Sequence, residues 1–115
     1  MIKEKIKIGA LTVSSNSRPL VIAECCDNHF GSLEKAIKMV DYSKKSGADI
    51  VKFQHHLPDE EMLPIVPKSS NFDKPLYEFL KENALTLEQH AKIKNYCKKK
   101  KNSIFMYTIF IKSSL

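Results

Sequence analysis

The chain has 115 residues, 43% of them hydrophobic, enough for one small core and too few for two domains. No apolar run approaches the roughly 18 residues of a membrane span, and the start MIKEKIKIGALTV lacks the apolar stretch and cleavage site of a secretory signal, so a cytoplasmic location is expected. The net charge of +6 is local: six of the 19 basic residues, Lys92, Lys94 and Lys98 to Lys101, lie in one segment, and the remaining 13 match the 13 acidic residues. Lysines at a helix end complement its dipole and stay solvated, so this excess does not by itself mark a nucleic-acid surface.

Residues 5–13, KIKIGALTV, alternate as a short strand; Ser14 to Ser17 form a polar turn, and Pro19 opens a second run, LVIAEC. The expected arrangement is a hairpin leading into a core strand, with the continuously apolar Leu20 to Ala23 covered on both faces as in a parallel sheet. Leu33, Ala36, Ile37 and Val40 then fall at helical spacing, with Ser32 as N-cap and Gly47 as the left-handed stop. ADIVKFQ follows as a β-branched run. Val21 to Gln54 thus has the size of a βαβ crossover.

His55 to Lys74 holds three of the five prolines and no clear period, which predicts a long loop with at most a turn of helix. Pro75 to Asn83 is a short helix carrying Leu76, Phe79 and Leu80 on one face. Thr86 and Gln89 have the spacing of a capping box, opening a helix that runs through Ile93 and Cys97 to the lysines. Asn102 suits its left-handed end, and SIFMYTIF reads as a third strand.

The stretch AECCDNHFG concentrates reactive side chains. Its two adjacent cysteines cannot pair without strain, no CxxC accompanies them, and with Cys97 the count is odd, so all three are expected as thiols and mainly as packing. His29, His55, His56 and His90 invite a metal reading, but neighbouring histidines on an extended segment point to opposite faces and chelate one ion poorly.

Four ordered blocks, VIAECCDNHFGSLEKA, GADIVKFQHHLPDEEM, NFDKPLYEFLKENALTLEQH and the strand around Thr108, resemble the N-terminal portion of the N-acetylneuraminate (sialic acid) synthase family, in which legionaminic and pseudaminic acid synthases are close relatives. The resemblance implies an α/β fold, a partial TIM (β/α)8 barrel comprising an N-terminal hairpin and about the first three βα units. It implies a transferase that condenses phosphoenolpyruvate with N-acetylmannosamine or a related amino-sugar aldehyde, releasing phosphate, with Mn2+ or Mg2+ as cofactor and a homodimer in the full-length family. By the same resemblance Glu24 matches the active-site glutamate, Lys52 the lysine that meets phosphoenolpyruvate, Gln54 and Asn71 sugar-contacting residues, and Thr108 a phosphate-contacting threonine. No metal ligand is expected here, because the family's histidine ligands come from later strands.

The resemblance departs at two places. Many family members carry apolar or glycine residues where Cys25 and Cys26 stand, and the usual Thr-Pro-Phe after the third strand is replaced by Thr108-Ile109-Phe110 and a short tail. The expectation is therefore that residues 1–115 are a truncated N-terminal part of a synthase barrel, without the later barrel or the antifreeze-like domain, and inactive alone. Two alternatives remain open: a non-catalytic basic module binding an acidic partner or nucleic acid, and a different phosphoenolpyruvate-using keto-acid sugar synthase.

Overall fold

The strand IVKFQH, Ile50–His55 (β4), is flanked on both sides by parallel neighbours, and its side chains alternate between two environments. Val51 and Phe53 point into the apolar cluster with Cys25, Ala36, Val40, Ile93 and Cys97. Because successive strand residues face opposite sides, Lys52 and Gln54 occupy the other face. A computed structural model describes residues 5–100 in full and the backbone of a strand over 104–109.

The order of elements is β1 (Lys5–Ile8), β2 (Leu11–Ser14), β3 (Ile22–Cys26), α1 (Leu33–Lys45), β4, α2 (Pro58–Glu61), α3 (Leu76–Asn83), α4 (Leu87–Lys99) and β5 (Ile104–Ile109). β3, β4 and β5 form a three-stranded parallel sheet with β4 central, and α1 and α4 supply the side chains that cover one of its faces. β3-α1-β4 is the strand-helix-strand unit expected from the sequence, and β5 is the third strand. Asn102 lies outside the described residues.

The helices begin and end where local chemistry dictates. Ser32 Oγ accepts from Lys35 N at 3.2 Å, and Gly47 follows the last turn of α1 at φ +85°, a conformation costly to any residue with a Cβ. Thr86 Oγ1 accepts from Gln89 N at 3.2 Å while Gln89 Oε1 accepts from Thr86 N at 2.8 Å, a complete capping box at the start of α4. The long loop contains one helical turn, α2, with Pro58 in its first position. At the other end of α4, Lys92, Lys94 and Lys98 to Lys100 are exposed, with Lys92 paired to Glu88 at 2.9 Å and Lys100 to Asp41 at 3.5 Å.

Two expectations are corrected. The hairpin lies wholly within residues 5–14, because Gly9, at φ +57°, turns the chain back in two residues and pairs β1 with β2 in antiparallel register. The Ser14 to Ser17 turn also forms, with Ser17 N donating to Ser14 O at 3.2 Å, but it does not pair β2 with β3. Nor is β3 covered on both faces: Val21 and Ile22 are 54% and 47% exposed, since helices pack against one side only.

The start of β4 is fixed by a long-range clamp. Asp49 receives both Arg18 guanidinium nitrogens, Nη1 at 2.8 Å, and the Val21 backbone N–H at 2.9 Å. The Arg18 hydrogen bond, then the Val21 amide, hold the Asp49 carboxyl down at about 2. This aligns the chain before β3 with the residue that immediately precedes β4.

Phe53 is fully buried between the two helices. Phe53→Ala is expected to cost about 3–5 kcal/mol in urea unfolding, whereas truncation of the exposed Ile6 in the hairpin should change stability by less than about 0.5 kcal/mol.

Candidate active site

On the face of the sheet away from the helices, Glu24 of β3 and Lys52 of β4 stand at the same register position and form an ion pair through Lys52 Nζ and Glu24 Oε2. Burial raises the Glu24 carboxyl, but hydrogen bonds from Lys52 and Cys26 outweigh it, and the net shift is downward. The carboxylate is therefore an acceptor at neutral pH. Gln54, one pleat further along β4 on the same face, stands opposite Thr108 of β5 in the ladder.

Immediately beyond Glu24 the strand becomes irregular. The register shifts between Glu24 and Cys26, and Cys26 adopts φ +46°. Phe30 follows at φ +50° and Gly31 at φ +73°. At Gly31 a Cβ would also lie 3.4 Å from the backbone of Glu82 and Asn83, so glycine serves both the turn and the close passage of α3. His29 is fully buried under this loop, its Nδ1 accepting from Gly31 N at 3.0 Å. Burial pushes its pKa down, which agrees with a neutral ring.

This loop, the end of β4, α2 and α3 enclose a cavity of about 470 Å3. Gln54, Asp27, His56 and Glu61 provide its polar side. Phe30, Phe72 and Phe79 provide an aromatic wall, with ring centroids 6.0 Å apart for Phe30–Phe79 and 5.0 Å for Phe72–Phe79.

His56 bridges two carboxylates, with Nε2 3.0 Å from Asp27 Oδ2 and Nδ1 2.8 Å from Glu61 Oε2. Glu61 Oε1 also accepts from Leu57 N at 2.5 Å. Burial pulls the imidazole pKa down, but the bonds to Asp27 and Glu61 overcome it and the net shift is upward. His55 turns to the helix side, where its ring meets that of His90 edge-on at 5.0 Å. Burial, with His55 and His29 nearby, drives His90 down to about 4.

The structure thus brings Glu24, Lys52 and Gln54 to one face. Asn71 is exposed in the long loop, its N–H on Ser69 Oγ at 3.3 Å, and its neighbour Phe72, rather than Asn71 itself, lines the cavity. Cys25 and Cys97 are core residues, but Cys26 lines the cavity, so packing does not describe all three thiols. The Asp27–His56–Glu61 bridge escaped sequence reasoning; its only signal is the five-residue offset of His56 and Glu61 across a proline-led helical turn. Among the described residues no three His, Cys, Asp or Glu side chains are grouped to hold a metal ion, and no helix is long and apolar enough to cross a membrane.

A carboxylate, an ammonium and an amide at neighbouring positions of parallel strands, beside a cavity of small-molecule size, make this end of the α/β sheet the candidate site. The model of the NeuB family matches residues 39–115, and the chain belongs to that family. It is 35% identical over 86 residues to pseudaminic acid synthase of Campylobacter jejuni, a match covering 70% of this chain and 25% of that protein. Among solved structures it is similar to the spore coat polysaccharide biosynthesis protein SpsE of Bacillus subtilis, with TM-score 0.71, 26% identity, and coverage of 96% of this chain and 29% of that one. It is also similar to the N-acetylneuraminic acid synthetase of Leptospira borgpetersenii, solved in complex with citrate, with TM-score 0.71, 25% identity, and coverage of 93% and 34%. The chain spans about a quarter of the length of the curated relatives it matches.

The histidines set opposite pH dependences. The raised pKa of His56 contributes stability that is fully present below the ordinary value of 6.5 and is lost as pH rises through its folded value. His29, His55 and His90 are lowered, so they carry no penalty above 6.5 and destabilise the fold as pH falls below it, His90 down to about 4. His56→Gln should therefore lose more stability relative to the parent at about pH 6 than at about pH 9 in urea unfolding, and a gap that widens toward alkaline pH contradicts this assignment.

Proposed function

We propose that the chain supplies the first part of the active site of a nonulosonic acid synthase, a transferase that joins phosphoenolpyruvate to an N-acylated amino-sugar aldehyde, N-acetylmannosamine or a close relative. The observation that carries this reading is the Glu24–Lys52 pair on adjacent parallel strands, with Gln54 on the same face. In the reaction, carbon 3 of the enol forms a bond to the aldehyde carbon, water adds at carbon 2, and the carbon–oxygen bond to phosphate breaks. The pocket must hold an anionic donor and stabilise a developing alkoxide.

Lys52 is the group that meets the anion, as a compact ammonium on the accessible face of β4. Glu24 holds that ammonium in place until the donor arrives. Once Lys52 turns to the donor, the ionised Glu24 accepts a hydrogen bond from a sugar hydroxyl or from the attacking water. Gln54 supplies an amide to the sugar, Thr108 a hydroxyl to the phosphate from the neighbouring strand, and Asn71 reaches the sugar when the long loop folds inward. The three-stranded sheet with helices on one face is consistent with the opening units of a (β/α)8 barrel whose interior is the Glu24–Lys52 face.

A divalent ion would polarise the aldehyde. The described residues do not fit it, so the steps assigned to this chain are anion binding and positioning. On this reading the 115 residues do not turn over alone, the reaction is cytoplasmic, and the working enzyme is a homodimer. Calorimetric titration with phosphoenolpyruvate tests the core of it: the chain should bind the donor, Lys52→Ala should weaken binding at least about tenfold through loss of a charge-assisted contact, and Glu24→Gln should retain it. Unchanged affinity in Lys52→Ala, or robust phosphate release by the purified chain with N-acetylmannosamine, contradicts the proposal.

A further inference from the structure

When Lys52 turns to an anionic donor, Glu24 loses the cation that holds it. A partly exposed carboxylate then needs other donors if it is to stay ionised and aimed. The irregular end of β3 supplies them. Glu24 stands opposite Lys52 and Cys26 opposite Phe53, so Cys25 is the extra residue of a bulge, and Glu24 and Cys26 sit one ladder step apart along β4 instead of two.

The bulge is pinned at Cys25. Its side chain is buried in the core with Sγ 3.8 Å from Ser43 Oγ, and its carbonyl accepts from Asn28 N at 3.2 Å and from Asn28 Nδ2 at 3.0 Å. Cys26 is thereby held at φ +46°, a left-handed conformation that is costly with a Cβ and that glycine adopts freely. What the cysteine adds over glycine is a thiol. The Glu24 carboxylate accepts from that thiol and from the Cys26 backbone N–H. Burial, then the Glu24 carboxylate, push the Cys26 thiol up, and Asp27 adds to this against the opposing charge of Lys52, so the sulfur keeps its proton and donates it.

We infer that Cys26 is a positioning residue for Glu24: from the pinned bulge, its thiol and backbone N–H hold the carboxylate in place after Lys52 has turned away. The inference rests on the function proposed above and deepens it by naming what keeps Glu24 an acceptor when a sugar hydroxyl or the attacking water needs one. A thiol is a weak donor to a neutral partner, and an ionised acceptor strengthens the bond. Unlike the ammonium it carries no charge that an incoming anion could draw away, so the contact survives the arrival of the donor.

The test follows the Glu24 carboxyl carbon by NMR through a pH titration of the 115-residue chain carrying isotope-labelled glutamate, the resonance being assigned by its loss in Glu24→Gln. Cys26→Gly removes the thiol, keeps the backbone N–H and relieves the left-handed conformation, so the fold is kept. A donor lost from the carboxylate favours its protonated form, so the Glu24 midpoint should move to higher pH in Cys26→Gly and likewise in Cys26→Ala. Cys26→Ser, which keeps a donor, should leave the midpoint at or below that of the parent. In a Lys52→Ala background Cys26→Gly should raise the midpoint again, because the thiol acts on the carboxylate and not through the ammonium. An unmoved midpoint in Cys26→Gly and Cys26→Ala, a rise that Cys26→Ser shares, or an effect that vanishes without Lys52 would overturn the inference. If any of these occurs while Lys52-dependent phosphoenolpyruvate binding persists, only the role of Cys26 falls. If the midpoint moves as expected and phosphoenolpyruvate does not bind, the hold on Glu24 stands and the proposed reaction falls.

Discussion

The alternation of β4 is the constraint from which both the core and the site follow. Val51 and Phe53 must reach the apolar cluster between α1 and α4, since no other surface buries them, and the backbone then has no choice but to present Lys52 and Gln54 to the opposite face. A slip of one residue would drive an ammonium into the core and strand two large apolar side chains on the other side. Hydrophobic burial thus fixes the register, and the register brings Lys52 beside Glu24 of the parallel neighbour. The Asp49 clamp to Arg18 and Val21 reinforces that alignment at the start of the strand.

What was legible in the sequence is what local chemistry decides. Ser32 and Gly47 bound α1, Thr86 and Gln89 open α4, and IVKFQH carries its own β preference; each depends on residues within a few positions of one another. The hairpin was misplaced because Gly9 lies inside a run whose alternation also fits one continuous strand, and a two-residue turn leaves little mark on periodicity. The coverage of β3 was misjudged because an apolar run shows that a strand pairs in parallel without showing how many layers flank it. The Arg18–Asp49 clamp, spanning 31 residues, and the His56 bridge to Asp27 have no local spacing that could reveal them.

The candidate site divides along the same line. Glu24, Lys52 and Gln54 could be placed together from strand parity and the order of the sequence blocks, because both arguments concern regular secondary structure. The cavity walls could not. Phe30, Phe72 and Phe79 come from a βα loop, a proline-rich loop and a helix, and they meet only because the chain bends at Cys26 and Phe30 and passes α3 closely at Gly31. Loops carry little periodic signal, so function located there is hard to read in advance.

Separating fold from chemistry on the two faces of one sheet has an energetic consequence. The side chains that hold the structure together, Phe53, Val51, Val40 and Ile93, lie between the sheet and its helices, while the charged residues lie on the face that remains accessible. Glu24 and Lys52 are partly exposed and satisfy each other, so neither imposes the penalty of an isolated buried charge. The pair costs the fold little at rest and leaves an ammonium that a stronger anion can share. His56, by contrast, is nearly enclosed and ties the β3–α1 loop to α2 through two carboxylates, which gives the loop a fixed shape at the mouth of the cavity. Lys52 is thus kept exchangeable and His56 is committed to structure, and the difference is set by how much water each retains.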